Sequence, residues 1–305
     1  MTASAIARGL APLISAIVLA SCIFQQSSPS PSPSATATAS AGATRPRLEL
    51  STFQYALQTK GKIRVGLRDA AAPYAARASS GKYDGFEADL AREIARAIWG
   101  AREDPDAHIE WVSIDASTRI AALTSDQADI VLAGLTIDDD NAKAIDLSDP
   151  YYKDGQRLAV RKTNEDIKEL ADAASGEETV SALKGSVWEA NLKRITNDRA
   201  KILALESVDF CVQALKTGAA DAYTQDEAAL VSLVAKDPDL KIVAKQFTEE
   251  RFGIGIKKNV SADRQGFKEF VNGALLKIVA DRTWAGLFEK YVTPITGEKK
   301  QLPTD

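Results

Sequence analysis

Residues 117–137 read STRIAALTSDQADIVLAGLTI. The first half has the apolar spacing of a short helix. The second, ADIVLAGLT (128–136), is an unbroken apolar run of strand length, the pattern of a strand buried on both faces. A helix feeding a fully buried strand is the unit of a mostly parallel α/β sheet. Arg119 stands at the start of that helix, where a cation opposes the helix dipole at a cost of about 0.3–1 kcal/mol. Taken alone it reads most simply as a surface arginine whose stem covers the helix end. The alternative is a guanidinium placed to grip a carboxylate bidentately.

Upstream, KIRVGL (62–67) reads as a strand and YDGFEADLAREIARAIWG (83–100) as an amphipathic helix. Phe86, Leu90, Ile94 and Ile98 lie on its apolar face, and Gly100 stops it. HIEWVSI (108–114) and QRLAVRK (156–162) are further strands. The first part therefore reads β-α-β-α-β. A second unit follows: a strand at TVSALKGS (179–186) with helix WEANLKRI, a strand at ILALES (202–207), and helix SVDFCVQALKTG (207–218). Strand ADAYTQD (220–226), helix EAALVSLVAK (227–236) and strand LKIVAK (240–245) complete it. ERFGIGIKKN (250–259) alternates as a strand, and 264–292 holds two terminal helices.

In open α/β sheets, ligands bind beyond the carboxyl ends of strands, where loops meet helix starts. That rule selects the loop after KIRVGL, the strand end at Gly134 and Thr136, the start at Arg119, the turn Gly185-Ser186-Val187, and Asp226. Gly134 and Thr136 can turn a carbonyl and a hydroxyl to a cleft. Ser186 and Val187 open a helix, whose free N–H groups suit an anion. Asp226 reads as an N-cap or as a carboxylate holding an ammonium.

The chain has 305 residues, 45% hydrophobic and 26% charged, with a formal net charge of -4. That is a globular composition with no basic, aromatic-laced patch for nucleic acid. With one histidine, His108, a His-rich metal site is excluded. His108 borders a strand and reads as structural or superficial. Cys211 lies inside an amphipathic helix and reads as a small core residue.

Residues 1–22, MTASAIARGLAPLISAIVLASC, carry one arginine and then the apolar run 10–20, too short to span a bilayer but suited to a signal peptide. Leu19-Ala20-Ser21-Cys22 resembles the bacterial lipobox, which implies a leader over 1–21 and lipidation at Cys22. The Ser-, Pro- and Ala-rich stretch 25–46 cannot form a core and reads as a tether, so 22–47 is assigned as lipidated cysteine plus spacer.

From KIRVGL to FEKYV the chain resembles bacterial extracellular solute-binding proteins of family 3, the amino-acid receptors of ABC importers. The resemblance rests on KIRVGL, YDGFEADLAREIA, STRIAAL, ADIVLAGLTIDDDNAKAIDLSDPYY, KGSVWE, ALKTGAADAYTQDEAAL and ERFGIGIKK in that order. A nearer likeness to actinobacterial-style glutamate and glutamine receptors rests on GQRLAVR, FCVQALKTGAADAYTQDEA and FTEERFGIGIKK. The resemblance implies a two-lobed, type II periplasmic-binding-protein-like α/β fold with two hinge strands and a cleft between lobes. Lobe one would hold 48–156 and 250–305, and lobe two 157–249.

It further implies that Arg119 pairs with the ligand's α-carboxylate, joined by Ser186 and Val187. Asp226 would hold the α-ammonium, and Gly134 and Thr136 would add a carbonyl and a donor. In GLRDAAAPYAA, Arg68 stands where cation receptors carry an acid and Ala71 where they carry an aromatic. This suits an anionic side chain, although Asp69 could neutralise Arg68 and Arg68 could simply be solvated. Tyr74 would wall the pocket. The function implied is a lipoprotein receptor for a polar amino acid, glutamate first, then aspartate, glutamine or asparagine. It would be anchored outside the cytoplasmic membrane, monomeric, free of cofactor and metal, and partnered by an ABC permease. An amino-acid sensor and a dehydratase-like enzyme on the same fold are the alternatives. Cys211 would be free, because TVSALKGS lacks the cysteine with which close relatives pair it.

Overall fold

The computed structural model describes residues 45–115, 117–259 and 264–299. The leader, Cys22 and the tether up to residue 44 lie outside the described residues.

The strands are β1 (Ile63–Arg68), β2 (Ala70–Ala71), β3 (Ala75–Arg77), β4 (Tyr83–Asp84), β5 (Ile109–Ile114), β6 (Ile130–Thr136), β7 (Asp146–Asp154), β8 (Gln156–Arg161), β9 (Thr179–Leu183), β10 (Lys201–Leu205), β11 (Ala222–Asp226), β12 (Leu240–Val243) and β13 (Glu250–Ile256). The helices are α1 (Phe53–Lys60), α2 (Phe86–Trp99), α3 (Arg119–Thr124), α4 (Asp139–Ala144), α5 (Leu170–Ala173), α6 (Val187–Thr196), α7 (Val208–Thr217), α8 (Glu227–Lys236), α9 (Phe267–Ala280), α10 (Thr283–Tyr291) and α11 (Thr293–Thr296).

Among the described residues two sheets of five strands form two lobes, ordered β5-β1-β6-β13-β7 and β10-β9-β11-β8-β12. In the first, β5, β1 and β6 run parallel, while β13 is antiparallel to both its neighbours. In the second, β10, β9 and β11 run parallel and β8 is antiparallel to β11 and β12. A small sheet, β2-β3-β4, follows β1. The chain leaves the first sheet at Asp154, enters the second at Gln156, and returns between Val243 and Glu250. Gly155 marks the first crossing: a Cβ there would lie 2.0 Å from the Thr248 carbonyl oxygen of the second. The two crossings thus pack backbone to backbone, and a side chain would force them apart.

Local sequence explains these elements. On α2, Phe86, Leu90, Ile94 and Ile98 are fully buried, and Glu87 and Asp89 occupy its first turn. α7 is capped by the Ser207 hydroxyl, which accepts from the Phe210 N–H, and ends on Gly218 in the left-handed region. In β6, Ile130 to Ala133 and Leu135 are fully buried, as a central strand covered on both faces requires. Aromatic edges lock the first lobe, where Phe86 packs edge-on against Tyr152, Trp284 and Phe288. His108 is structural. It stacks on Trp99 with ring centroids 4.6 Å apart, and its Nδ1 lies 3.0 Å from the Gly61 carbonyl oxygen.

Cys211 is fully buried in a core with Leu215, Tyr223 and Leu230, and forms no disulfide among the described residues. Burial pushes its thiol pKa up, so both access and thiolate fraction are low. In a Cys22→Ser protein, a thiol reagent is expected to titrate one thiol after denaturation without reductant. It should react with the folded protein at least tenfold more slowly, since labelling waits on opening of the fold. Equal rates would contradict the buried placement.

Candidate functional site

A cavity of about 770 Å³ lies between the lobes. The first lobe contributes the end of β1 through Arg68, the end of β6 through Gly134 and Thr136, and the start of α3 through Arg119. The second contributes Asp226, at the end of β11, and Trp188, in the first turn of α6. Five of the residues singled out from the sequence, Arg68, Arg119, Gly134, Thr136 and Asp226, therefore face one space.

The guanidinium of Arg119 is held from one side. Its Nη1 donates to the carbonyls of Gly134 at 2.7 Å and Ala133 at 3.2 Å. Its pKa is lowered, first by burial and then by the positive charge of Arg68. The two cations are thus neighbours, and neither has a carboxylate within ion-pair distance among the described residues. Arg68 also buries its Nε without a hydrogen-bond partner. Asp69 does not neutralise it. That carboxylate accepts from the Tyr83 hydroxyl and, at 2.8 Å, from Ser113, with Arg77 3.8 Å away.

Asp226 supplies the opposite sign. Its Oδ1 accepts from the Trp188 indole N–H at 2.7 Å. Its pKa is pushed up to about 6, chiefly by burial and then by the charge of Glu250, against the lowering effect of Trp188. Glu250 also lines the cavity. Its Oε2 lies 3.5 Å from the Thr136 hydroxyl, and burial raises its pKa.

Gly134 is the pivot of this floor. At φ +62° it occupies the left-handed region, which disfavours any side chain. Its N–H donates to Glu87 at 3.1 Å and its carbonyl is taken by Arg119. The carbonyl thus steadies a cation of the protein.

Three residues stand apart. Tyr74 does not wall the cavity. It is 3% exposed, turned into the core against Phe86, with its hydroxyl 2.8 Å from that of Tyr152. Burying the ring and pairing the hydroxyl in one step accounts for the inward turn. Ser186 is consumed by its own helix, its hydroxyl accepting from the Glu189 N–H and donating to the Leu183 carbonyl. The Ser186 N–H donates to the same carbonyl. Val187 is 57% exposed. Neither lines the cavity, and α6 meets it through Trp188 instead. Trp188 and Glu250 were not singled out from sequence. An acid opening a charged strand and a tryptophan at the start of a helix carry no local signal of an inward role.

Four likenesses to known proteins bear on this geometry. The profile of bacterial extracellular solute-binding proteins, family 3, matches residues 63–294. The ABC transporter glutamine-binding protein GlnH of Bacillus subtilis (strain 168) is 31% identical over 214 residues, 70% of this chain and 74% of that protein. The glutamate-binding protein GluB of Corynebacterium glutamicum is 25% identical over 244 residues, 78% of this chain and 79% of that one. A similar solved structure is the ancestral amino-acid-binding protein AncCDT-1, described as a precursor of cyclohexadienyl dehydratase. Its TM-score is 0.59 at 29% identity, covering 79% of this chain and 99% of that one.

Proposed function

The chain belongs to the bacterial extracellular solute-binding proteins, family 3, and on that premise we propose that it is the receptor of an ABC importer for a polar amino acid, glutamate before aspartate, glutamine or asparagine. One observation carries the ligand class. Arg68 and Arg119 adjoin on the cleft floor, and among the described residues neither has a carboxylate partner. Two uncompensated guanidiniums in a half-buried cleft call for anionic charge from the ligand. A neutral side chain would leave one of them unmatched. The carboxyl of Asp226, on the other lobe, stands ready for the ammonium.

In this reading residues 48–156 with 250–305 form one lobe and 157–249 the other, joined at the two crossings. An amino acid held by Arg119 on one lobe and Asp226 on the other favours the closed arrangement. Lipidation at Cys22 would keep the monomeric receptor at the outer face of the cytoplasmic membrane, within reach of a permease. No helix among the described residues is long and apolar enough to cross a membrane.

The test is calorimetric titration of ligand-free protein, with Cys22 replaced, against glutamate, aspartate, glutamine, asparagine and arginine. Tight binding of the two acids, with arginine silent, supports the reading. Preference for arginine, or silence from all five, overturns it. Because AncCDT-1 is described as a dehydratase precursor, the ligand recovered after incubation is checked by mass. Unchanged ligand supports a receptor, and loss of water or carbon dioxide would make it an enzyme.

A further inference from the structure

Glu250 opens β13, the strand by which the chain returns to the first lobe, and is paired in register with Asp154 on β7. Residues directly opposite in an antiparallel pair project from the same face. Accordingly both line the cleft. Their circumstances differ. Asp154 is fully buried, and it accepts from the N–H groups of Gly155 at 2.8 Å and Ala228 at 3.2 Å. It is spent on the crossing and on the uncapped start of α8. Glu250 has one long contact, with Thr136.

The neighbouring cation does not serve it. Arg251 turns to Glu249, with contacts of 3.0 and 2.9 Å. Among the described residues no cation lies within ion-pair distance of Glu250 or of Asp226. Yet the charge of Glu250 is felt at Asp226 as the second cause of its raised pKa. Such an effect decays with distance and dielectric, so the two carboxyls share one half-dry space. Ionising both is costly, and a cation between them or a proton on one removes that cost.

We propose that Glu250 is a second carboxylate for the ligand's α-ammonium, acting with Asp226 to bind it from both lobes. This rests on the amino-acid reading above. Asp226 reaches the ammonium from β11 of the second lobe and Glu250 from β13 of the first. The ligand is thus the counter-ion that removes the repulsion across the cleft, and closure follows from its charge. An anion without an ammonium could engage Arg68 and Arg119 but could not relieve that repulsion.

The experiment compares each amino acid with the same molecule lacking its amine: L-glutamate with glutarate, and L-aspartate with succinate. Affinities are measured by calorimetry for the wild type, Glu250→Gln and Glu250→Asp. The expected result is that Glu250→Gln weakens the amino acid about tenfold or more, the scale of one charge-assisted hydrogen bond. The diacid should be unchanged or bind tighter, so the preference for the amine collapses. Glu250→Asp, which keeps the charge, should retain most of that preference. Equal losses for amino acid and diacid, with the preference intact, would assign Glu250 a structural role and overturn the inference alone. Failure of the wild type to bind any of the four would overturn the amino-acid reading and this inference with it.

Discussion

Arg119→Ala is expected to weaken L-glutamate binding by about 100-fold or more. Removing one partner of a desolvated, hydrogen-bonded charge pair costs roughly 2–5 kcal/mol. The loss should appear in affinity without a matching loss of fold. In the unliganded protein this guanidinium donates to two carbonyls and offsets no carboxylate among the described residues. Its lowered pKa, from burial and the adjacent Arg68, shows that the folded chain bears a cost in keeping it charged. Thermal unfolding of the unliganded variant should therefore stay close to wild type, while the stabilisation conferred by added glutamate disappears. Arg119→Lys restores the charge but not the planar fork, and should recover only part of the affinity. Arg68→Ala separates the ligand classes, weakening glutamate and aspartate by about tenfold more than glutamine. If Arg119→Ala binds glutamate as the wild type does, or if Arg68→Ala weakens glutamate and glutamine equally, the twin-guanidinium account of specificity fails.

How far the sequence revealed this site depends on what each residue had to oppose. The helix dipole drew notice to Arg119, a cation set against it, and to Asp226, an acid set with it, but taken alone these read as a surface arginine and an N-cap, and only the family resemblance gave them ligand roles. Arg68 was legible as a charge at the end of a buried strand, but its pairing was not. Whether Asp69 neutralised it turned on Tyr83 and Ser113, which lie on other strands. Tyr74 shows the converse. An aromatic in a proline-bearing loop has no periodicity to say which way it faces, and the hydroxyl of Tyr152, far along the chain, decided it.

The same division runs through the fold. Long periodic segments such as α2 and continuous apolar runs such as β6 announce themselves, since their burial is one-sided or complete. The short pairings of β2, β3 and β4 do not. AAAPYAAR has no alternation, and the two-residue strands are fixed by neighbours. The helix α4, DDNAKA, buries no residue and was missed for that reason. It is held by the Asp138 side chain accepting from the Asn141 N–H. The antiparallel return of β13 between β6 and β7 is a matter of topology, which local sequence does not encode.

Asp226→Asn should move stability and binding in opposite directions. The folded pKa of Asp226 is raised to about 6 from 3.8, with burial the main cause and Glu250 the second. For an acid raised on folding, the unfolded chain ionises first as pH climbs. Below about 3.8 the group is neutral in both states and costs nothing. Between about 3.8 and 6 the cost of keeping it folded grows, and above about 6 it is complete. A shift of about two units corresponds to at most roughly 3 kcal/mol. Unliganded Asp226→Asn is therefore expected to unfold at a higher temperature than wild type at pH 7 to 8, by several degrees, with the gap closing near pH 4. The neutral amide can still accept from Trp188, so the indole contact gives no reason for loss.

Binding reverses the sign. An ammonium needs the ionised carboxylate, so the wild type should lose affinity for glutamate as pH falls through about 6. The variant should be weaker by about 100-fold at pH 7 and should lose the part of the pH dependence that Asp226 supplies. Calorimetry in buffers of different ionisation enthalpy adds an independent reading, because the wild type near pH 6 must release a proton when the ligand's ammonium arrives. A variant both destabilised and pH-sensitive in binding would mean that Asp226 serves the fold, with the ammonium held elsewhere. One that is stabilised and silent towards glutamate would show a cleft kept in electrostatic strain by the charges its ligand neutralises.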